Sequence, residues 1–360
     1  MLLYQIALTK LPQVGDITAK KLLNEFGDAK AIFSAKSKAL TAAGFNKPVV
    51  QSLKKNSALA EAEKELKFIE KNKIQTIFYT DNDYPYRLKF CDDSPILLYY
   101  RGNINLNYSR IISIVGTRKI TDYGKWICRK IIEELANYQV LIVSGLAYGI
   151  DTAAHEAALE FNLPTIGVTA HGHDILYPAS NKKLAAKMIE NGGVLTEFTS
   201  GSKPDRENFP KRNRIIAGLS DATLVIEAGS KGGALITADI ANSYSRDVFA
   251  IPGRVNDLMS EGCNNLIRTN RAMSIQKAEH IVSAMNWDLS KPKNKQTKLF
   301  NELSEDEMII AKLLSEKGDC GIDILINESG LTATKTASAL LNLEFMNIIN
   351  CKPGKRYCIN

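Results

Sequence analysis

Between residues 111 and 250 the chain repeats one theme. Short runs rich in Val and Ile occur as "IISIVG" at 111, "VLIVSG" at 140, "PTIGVT" at 164, "GVLTEF" at 193, "ATLVIEA" at 222 and "DVFAIPG" at 247. Between most of them lie helix-compatible stretches such as "YGKWICRKIIEELANY", "DTAAHEAALEFN" and "NKKLAAKMIENG". Continuous apolar strands, rather than strands of alternating polarity, must be covered on both faces, and intervening helices supply that cover. The pattern predicts an α/β fold: a doubly wound, Rossmann-like parallel sheet of about six core strands.

The rest of the chain divides around this block. Residues 1–72 read as helical. "LPQVGDITAKKLLNEFG" places a turn between two apolar-periodic segments, with Asp16 or Thr18 as the cap of the second and Gly27 as its end, a helix-hairpin-helix or SAM-like pattern. "KNSALAEAEKELKFIEKN" predicts one long amphipathic helix. The Rossmann-like domain is expected over 73–289. A polar strip at 290–299 reads as a linker. Residues 300–360 read as three short helices, the first opening with a Ser304–Glu307 capping box, and a hairpin turning at Pro353–Gly354, which together suggest a winged helix.

Charge and cysteine content narrow the function classes. The net charge of the 360 residues is +7, unevenly spread. Residues 1–72 hold twelve Lys/Arg against seven Asp/Glu (+5), and residues 300–360 hold six against nine (−3). A basic balance suits a polyanionic partner. No apolar run spans a bilayer and no basic n-region opens the chain, so neither a membrane partner nor a signal peptide is expected. Six scattered cysteines without a C-x-x-C pair fit a reducing, cytoplasmic setting and leave no zinc ribbon.

In such a sheet the loops at the carboxyl ends of the strands converge on one edge. Here they are rich in glycines, hydroxyls and bases: Gly116-Thr117-Arg118, then "SGLAYGID" with Ser144 and Gly145, then "AHGHDILYP", "TSGSKPDRENFPKRNR", and "GSKGGALIT" with Lys231, Gly232 and Gly233. Glycines let backbone N–H groups approach phosphate oxygens, and helix starts add partial positive charge. A nucleotide cofactor is not expected, because neither G-x-G-x-x-G nor G-x-x-x-x-G-K-[ST] is present. "FPKRNR" carries the sharper signal: Lys211, Arg212 and Arg214 with Phe209 and Asn213 interleaved, which are charges for a backbone and a flat ring for a base. Cations at a helix start oppose its dipole unless an anion is present. No catalytic group and no metal site is expected. Ser144 lacks a nucleophile elbow, His171-x-His173 lacks further clustered ligands, and Asp151 and Glu227 read as loop-pinning carboxylates, Asp151 as a helix cap.

From "DNDYPYRLKFCDDSPILLYYRG" through "VGTR", "SGLAYGIDTAAHEAAL", "FPKRNRIIAGLSDATLVIEAGSKGGALITADIA" and "VFAIPG", the sequence resembles the DNA-processing protein A family (DprA, also called Smf). The resemblance implies a non-catalytic, homodimeric protein that binds single-stranded DNA and helps load the RecA recombinase in natural transformation. It implies that Gly116, Thr117 and Arg118 hold a DNA phosphate and that Phe209–Arg214 form the basic segment. Tyr148 stands where the family often has Arg, His173 departs from its "G-L-D-x-x-Y-P" loop, and Gln13 stands where a hairpin glycine is expected. Two rival readings remain at this stage. One is a nucleotide-processing hydrolase of phosphoribohydrolase type using Asp151 or Glu227, although its P-G-G-x-G-T loop is missing. The other is a duplex-DNA regulator acting through residues 300–360, although the candidate recognition helix there holds one base, Lys335.

Overall fold

The computed structural model describes residues 1–54, 57–287, 303–346, 348–352 and 356–359. The chain falls into two compact units, Met1–Trp287 and Asp288–Asn360.

The first unit opens with helices α1 (Leu2–Thr9), α2 (Asp16–Phe26), α3 (Ala29–Ser34), α4 (Ser37–Ala42), α5 (Lys47–Leu53) and α6 (Ser57–Asn72). Gly27 ends α2 as expected, at φ +83° with its N–H on the Leu23 carbonyl. Asp16 does not cap α2; Gly15 holds that position. The Asp16 carboxylate instead accepts from the Ile96 N–H and pairs with Arg214, so this end of α2 faces protein. Gln13 adopts φ +68°, the left-handed conformation that a hairpin glycine would supply.

Strands β1 (Gln75–Phe78), β2 (Leu97–Gly102), β3 (Ile111–Val115), β4 (Leu141–Ser144), β5 (Thr165–Val168), β6 (Gly192–Thr196), β7 (Ala222–Val225), β8 (Asp247–Ala250) and β9 (Met273–Ser274) build one sheet of order β1-β2-β6-β5-β4-β3-β7-β8-β9. The six apolar runs of the sequence are β3 to β8, all parallel. The sheet exceeds the expected six because β9 adds a parallel edge pair and β2 and β1 extend the other edge antiparallel. Helices interleave with the strands: α7 (Tyr86–Lys89), α8 (Asp122–Leu135), α9 (Ile150–Glu160), α10 (Lys182–Glu190), α11 (Asn208–Leu219), α12 (Gly233–Ser243), α13 (Glu261–Arg268) and α14 (Ala278–Ala284).

Both faces are covered, as continuous apolar strands require. Ile127 and Ile131 of α8, Ala154 of α9 and Ile281 of α14 pack with Ile112, Ile114 and Leu224 on one face. Ile215 of α11, Ala238 of α12 and Leu266 of α13 pack with Val115, Val143 and Val225 on the other. A third core joins the N-terminal helices to the sheet edge through Ile6, Leu22, Phe78, Leu97 and Tyr99. Strand β3 neighbours both β4 and β7. The chain order therefore reverses beside β3, and that reversal opens a crevice at the carboxyl ends of β3 and β7.

In the second unit, α15 (Glu305–Lys317), α16 (Ile322–Ser329) and α17 (Ala333–Phe345) accompany a three-stranded antiparallel sheet of β10 (Cys320–Gly321), β12 (Arg356–Ile359) and β11 (Ile349–Lys352) in that order. The Ser304–Glu307 capping box is formed at the start of α15. Lys335 on α17 pairs with Asp306 at 3.3 Å. The expected linker at 290–299 and the turn at Pro353–Gly354 lie outside the described residues.

Candidate nucleic-acid interface

An open cleft of about 400 Å³ occupies the crevice beside β3. Its walls are the loop after β3, the start of α11 and the loop that runs from β7 into α12. The loop after β3 is fixed from below. The Thr117 N–H donates to the Glu227 carbonyl at 2.7 Å, and the Thr117 carbonyl accepts from the Ile150 N–H at 3.1 Å. Glycines are required at two points. A Cβ on Gly116 would lie 2.4 Å from Ile150 Cγ1; one on Gly149, at φ +80°, would lie 2.2 Å from the Thr117 carbonyl oxygen. Above this base Arg118 projects into solvent, its guanidinium 5.1 Å from the centre of the Phe209 ring. Among the described residues the side chains of Arg118, Lys119, Lys211 and Lys231 are exposed and make no ion pair or hydrogen bond.

One residue after Lys211 the picture inverts. Arg212, Asn213 and Arg214 are buried, and both arginines, which the sequence suggests as phosphate partners, are engaged by groups of the protein itself, although Arg212 and Asn213 also line the cleft. The Arg212 guanidinium donates to the carbonyls of Gly145 and of Val168 (2.7 Å to the latter), and its Nε to Asn213 Oδ1. The Asp151 carboxylate lies beside it and accepts from the Gly145 and Ala147 N–H groups at 3.1 and 3.4 Å. Burial pushes the Asp151 carboxyl up, with Arg212 pulling against that, and burial lowers Arg212 to about 10. Asn213 donates to the Gly233 carbonyl at 3.3 Å and so ties α11 to α12. Arg214 binds Asp16, Glu197 and the Asp93 carbonyl. The anions that make these cations tolerable at a helix start are the protein's own carboxylates.

Further corrections follow from burial. Ser144 is fully buried, with its hydroxyl donated to the Ile114 carbonyl, so it offers nothing to a ligand. Gly145 is buried too, and its bare Cα makes room for Arg212: a Cβ there would lie 2.1 Å from the guanidinium. Asp151 does not cap α9, where Gly149 is the N-cap residue. Glu227 is buried and accepts from the N–H and hydroxyl of Thr121, the residue that caps α8. Both carboxylates thus serve loops. His155 binds Thr165 at 2.7 Å, His171 sits between the Gly172 carbonyl and the Tyr177 N–H, and His173 meets the Tyr99 carbonyl. Among the described residues no cluster of His, Cys, Asp and Glu is arranged to hold a metal.

The start of α12 is the opposite of a filled site. Gly232 is its N-cap residue and supplies no side-chain cap. A Cβ on Gly232 would meet nothing within 4 Å, and one on Gly233 only Asn213 Nδ2 at 3.9 Å. The protein's own packing needs glycine at neither position. Two bare residues before open helix N–H groups leave room for an anion to approach the backbone.

The sequence reading missed one participant. Tyr177 stacks edge-on against Phe209, and Tyr148 against Tyr177, each with ring centres 6.4 Å apart. Three aromatic side chains, two from loops and Phe209 from the first turn of α11, therefore form a ridge beside the Arg118 cleft. The residue type was legible in "ILYP", but only the fold places that loop against the start of α11.

A sequence profile of the family described as "DNA recombination-mediator protein A" matches residues 75–286. Protein Smf of Synechocystis is 32% identical over 98% of this chain and 98% of its own length. The chain belongs to the DNA recombination-mediator protein A family. DNA processing protein DprA of Streptococcus pneumoniae is 43% identical over 55% of this chain and 70% of its own. Its crystal structure superposes with a TM-score of 0.69 at 34% identity, covering 79% of this chain and 98% of that one. A second family structure, from Helicobacter pylori, superposes with a TM-score of 0.54 at 30% identity over 59% and 96% of the two chains. It was described for its single-stranded DNA binding mode.

Proposed function

We propose that this member of the DNA recombination-mediator protein A family binds single-stranded DNA at the cleft beside β3, as a homodimer in the cytoplasm. It passes the strand to a RecA recombinase during DNA uptake and recombination. The observation that carries the reading is the set of exposed, unpaired cations, Arg118, Lys119 and Lys231, that line a cleft beside Phe209, Tyr177 and Tyr148, with Lys211 exposed two residues along from Phe209. Charges track a backbone, and π-faces accept bases of any sequence. Gly116, Gly232 and Gly233 let the strand come close to the backbone, Thr117 turns the loop beneath it with its N–H held by Glu227, and Arg212, Asn213 and Arg214 hold the wall. The single-stranded DNA binding described for the Helicobacter pylori relative supports the choice of strand. The reading requires no catalytic group, cofactor or metal.

Among the described residues no helix is long and apolar enough to cross a membrane. Residues 300–360 carry a net charge of −3 and Lys335 there is paired, which favours the cleft over that segment as the DNA site.

Fluorescence anisotropy with labelled single-stranded and duplex oligonucleotides across a salt series tests the proposal. Four neutralised phosphates give a slope of log affinity against log salt of about −3 for a single strand. Arg118→Ala and Lys211→Ala each reduce that slope by about 0.7. A slope near zero, or equal affinity for both variants and wild type, refutes the cleft as the site.

A further inference from the structure

A second cavity, of about 450 Å³, lies between α10 and the sheet and is lined in part by the loop that carries Tyr177. Tyr177 belongs to the boundary. Its ring meets Phe209 of the first cleft, while Ile175 and Leu176, just before it in the loop, line the second cavity. The volume falls within the ordinary range of small-ligand pockets, roughly 300–1,000 Å³.

The lining has two parts. Ile175, Leu176, Ala186 and Ile189 give it an apolar wall. Arg101 and Lys182 give it two cations that form no ion pair or side-chain hydrogen bond among the described residues. One carboxylate also lines it, Asp174, which accepts from the Gly201 N–H at 3.0 Å. The two histidines differ in what they leave over. His171 uses both ring nitrogens, one on the Gly172 carbonyl and one on the Tyr177 N–H. His173 meets a carbonyl, that of Tyr99, through Nε2, so Nε2 carries the proton. Burial holds this imidazole neutral, with its pKa lowered to about 4, and Nδ1 is then a bare acceptor. An apolar wall, two cations without an ion pair and a neutral acceptor match a nucleotide: a base, a phosphate and an N–H on the base edge.

We propose that this cavity holds a nucleotide of the same single strand that occupies the first cleft, its base against α10 and its phosphate between Arg101 and Lys182, with the strand crossing the ridge at Tyr177. The proposal rests on the single-strand reading above and extends its footprint to a second site.

The test is binding of a length series of labelled oligothymidylates to the full chain, wild type beside Arg101→Met and Ala186→Trp. The second variant fills the cavity from an exposed position and removes no charge. Wild type shows a step in affinity once the oligomer is long enough to span both sites. Both variants bind the shortest oligomers as wild type does and lose the step, roughly tenfold for the longer ones. Arg101→Met also lowers the salt slope by about 0.7 for long oligomers only. If both variants follow wild type at every length, the second site is overturned and the first stands. If thymidine monophosphate alone abolishes the step without displacing short oligomers, the cavity takes a nucleotide, and the step's loss in both variants ties it to the strand. If wild type binds no oligomer, the single-strand reading falls and this proposal falls with it.

Discussion

Arg212→Met separates what the basic segment does for folding from what it does for binding. The substitution keeps an unbranched apolar stem and removes the guanidinium. It leaves the Gly145 and Val168 carbonyls without their donor and the Asp151 carboxylate buried without its counter-charge. Leaving a buried carboxylate without its neighbouring counter-charge, and two buried carbonyls without a donor, costs about 3–5 kcal/mol. Urea unfolding should therefore show a loss of that size, whereas Arg118→Ala, on an exposed side chain, stays within about 0.5 kcal/mol of wild type. The deficit has a pH signature. Without Arg212 the Asp151 carboxyl rises further above its unfolded value, so the folded state takes up a proton that the unfolded state does not. The deficit is full above that raised pKa and narrows as pH falls through it. The double variant Arg212→Met/Asp151→Asn should recover part of the loss, since both charges are then gone. Unfolding of Arg212→Met at the wild-type urea midpoint, or a double variant no better than the single, would refute the assignment of Arg212 as a pin.

Two further outcomes follow from the geometry. Gly149→Ala, with its positive φ and the Thr117 carbonyl in the way, should lower stability by about 1–3 kcal/mol in urea unfolding, while Gly232→Ala leaves stability near wild type and weakens oligonucleotide binding in anisotropy. His155 is fully buried, with its pKa lowered by burial to about 3; the unfolded chain takes up a proton near pH 6.5 that the folded chain refuses. Between pH 7 and pH 5 this one group removes about 2 kcal/mol of stability, read as the extra pH sensitivity of wild type over His155→Gln in urea unfolding.

The fold was legible where periodicity carries the information. Runs such as "VLIVSG" and "ATLVIEA" announce strands buried on both faces, and each is a parallel strand. Strand β2, "LLYYRG", was not read as one, although its pleat is informative in retrospect: Leu97 and Tyr99 join one core, Leu98 and Tyr100 another. The candidate site was legible by residue type and misread by depth. "KRNR" places Lys211 in solvent and Arg212 and Arg214 inside, because the groups that answer them, the Gly145 and Val168 carbonyls beside Asp151 for one and Glu197 and Asp16 for the other, stand on other elements. Local sequence shows a helix start crowded with positive charge, and only the fold shows which charges are already answered. Tyr177 was lost for the same reason, since its partner Phe209 stands on another element, the start of α11.

The two faces of β2 also determine how the molecule can be divided. One face belongs to the core built by the N-terminal helices, through Leu97, Tyr99 and their neighbours Phe78 and Ile96. A fragment beginning after α6 would uncover that apolar face at the edge of the sheet. Shortened versions of this protein made for biophysical work should therefore retain the first helices even where only the DNA cleft is of interest. Solubility lost on trimming them would reflect a core cut in two, with no bearing on what those helices bind.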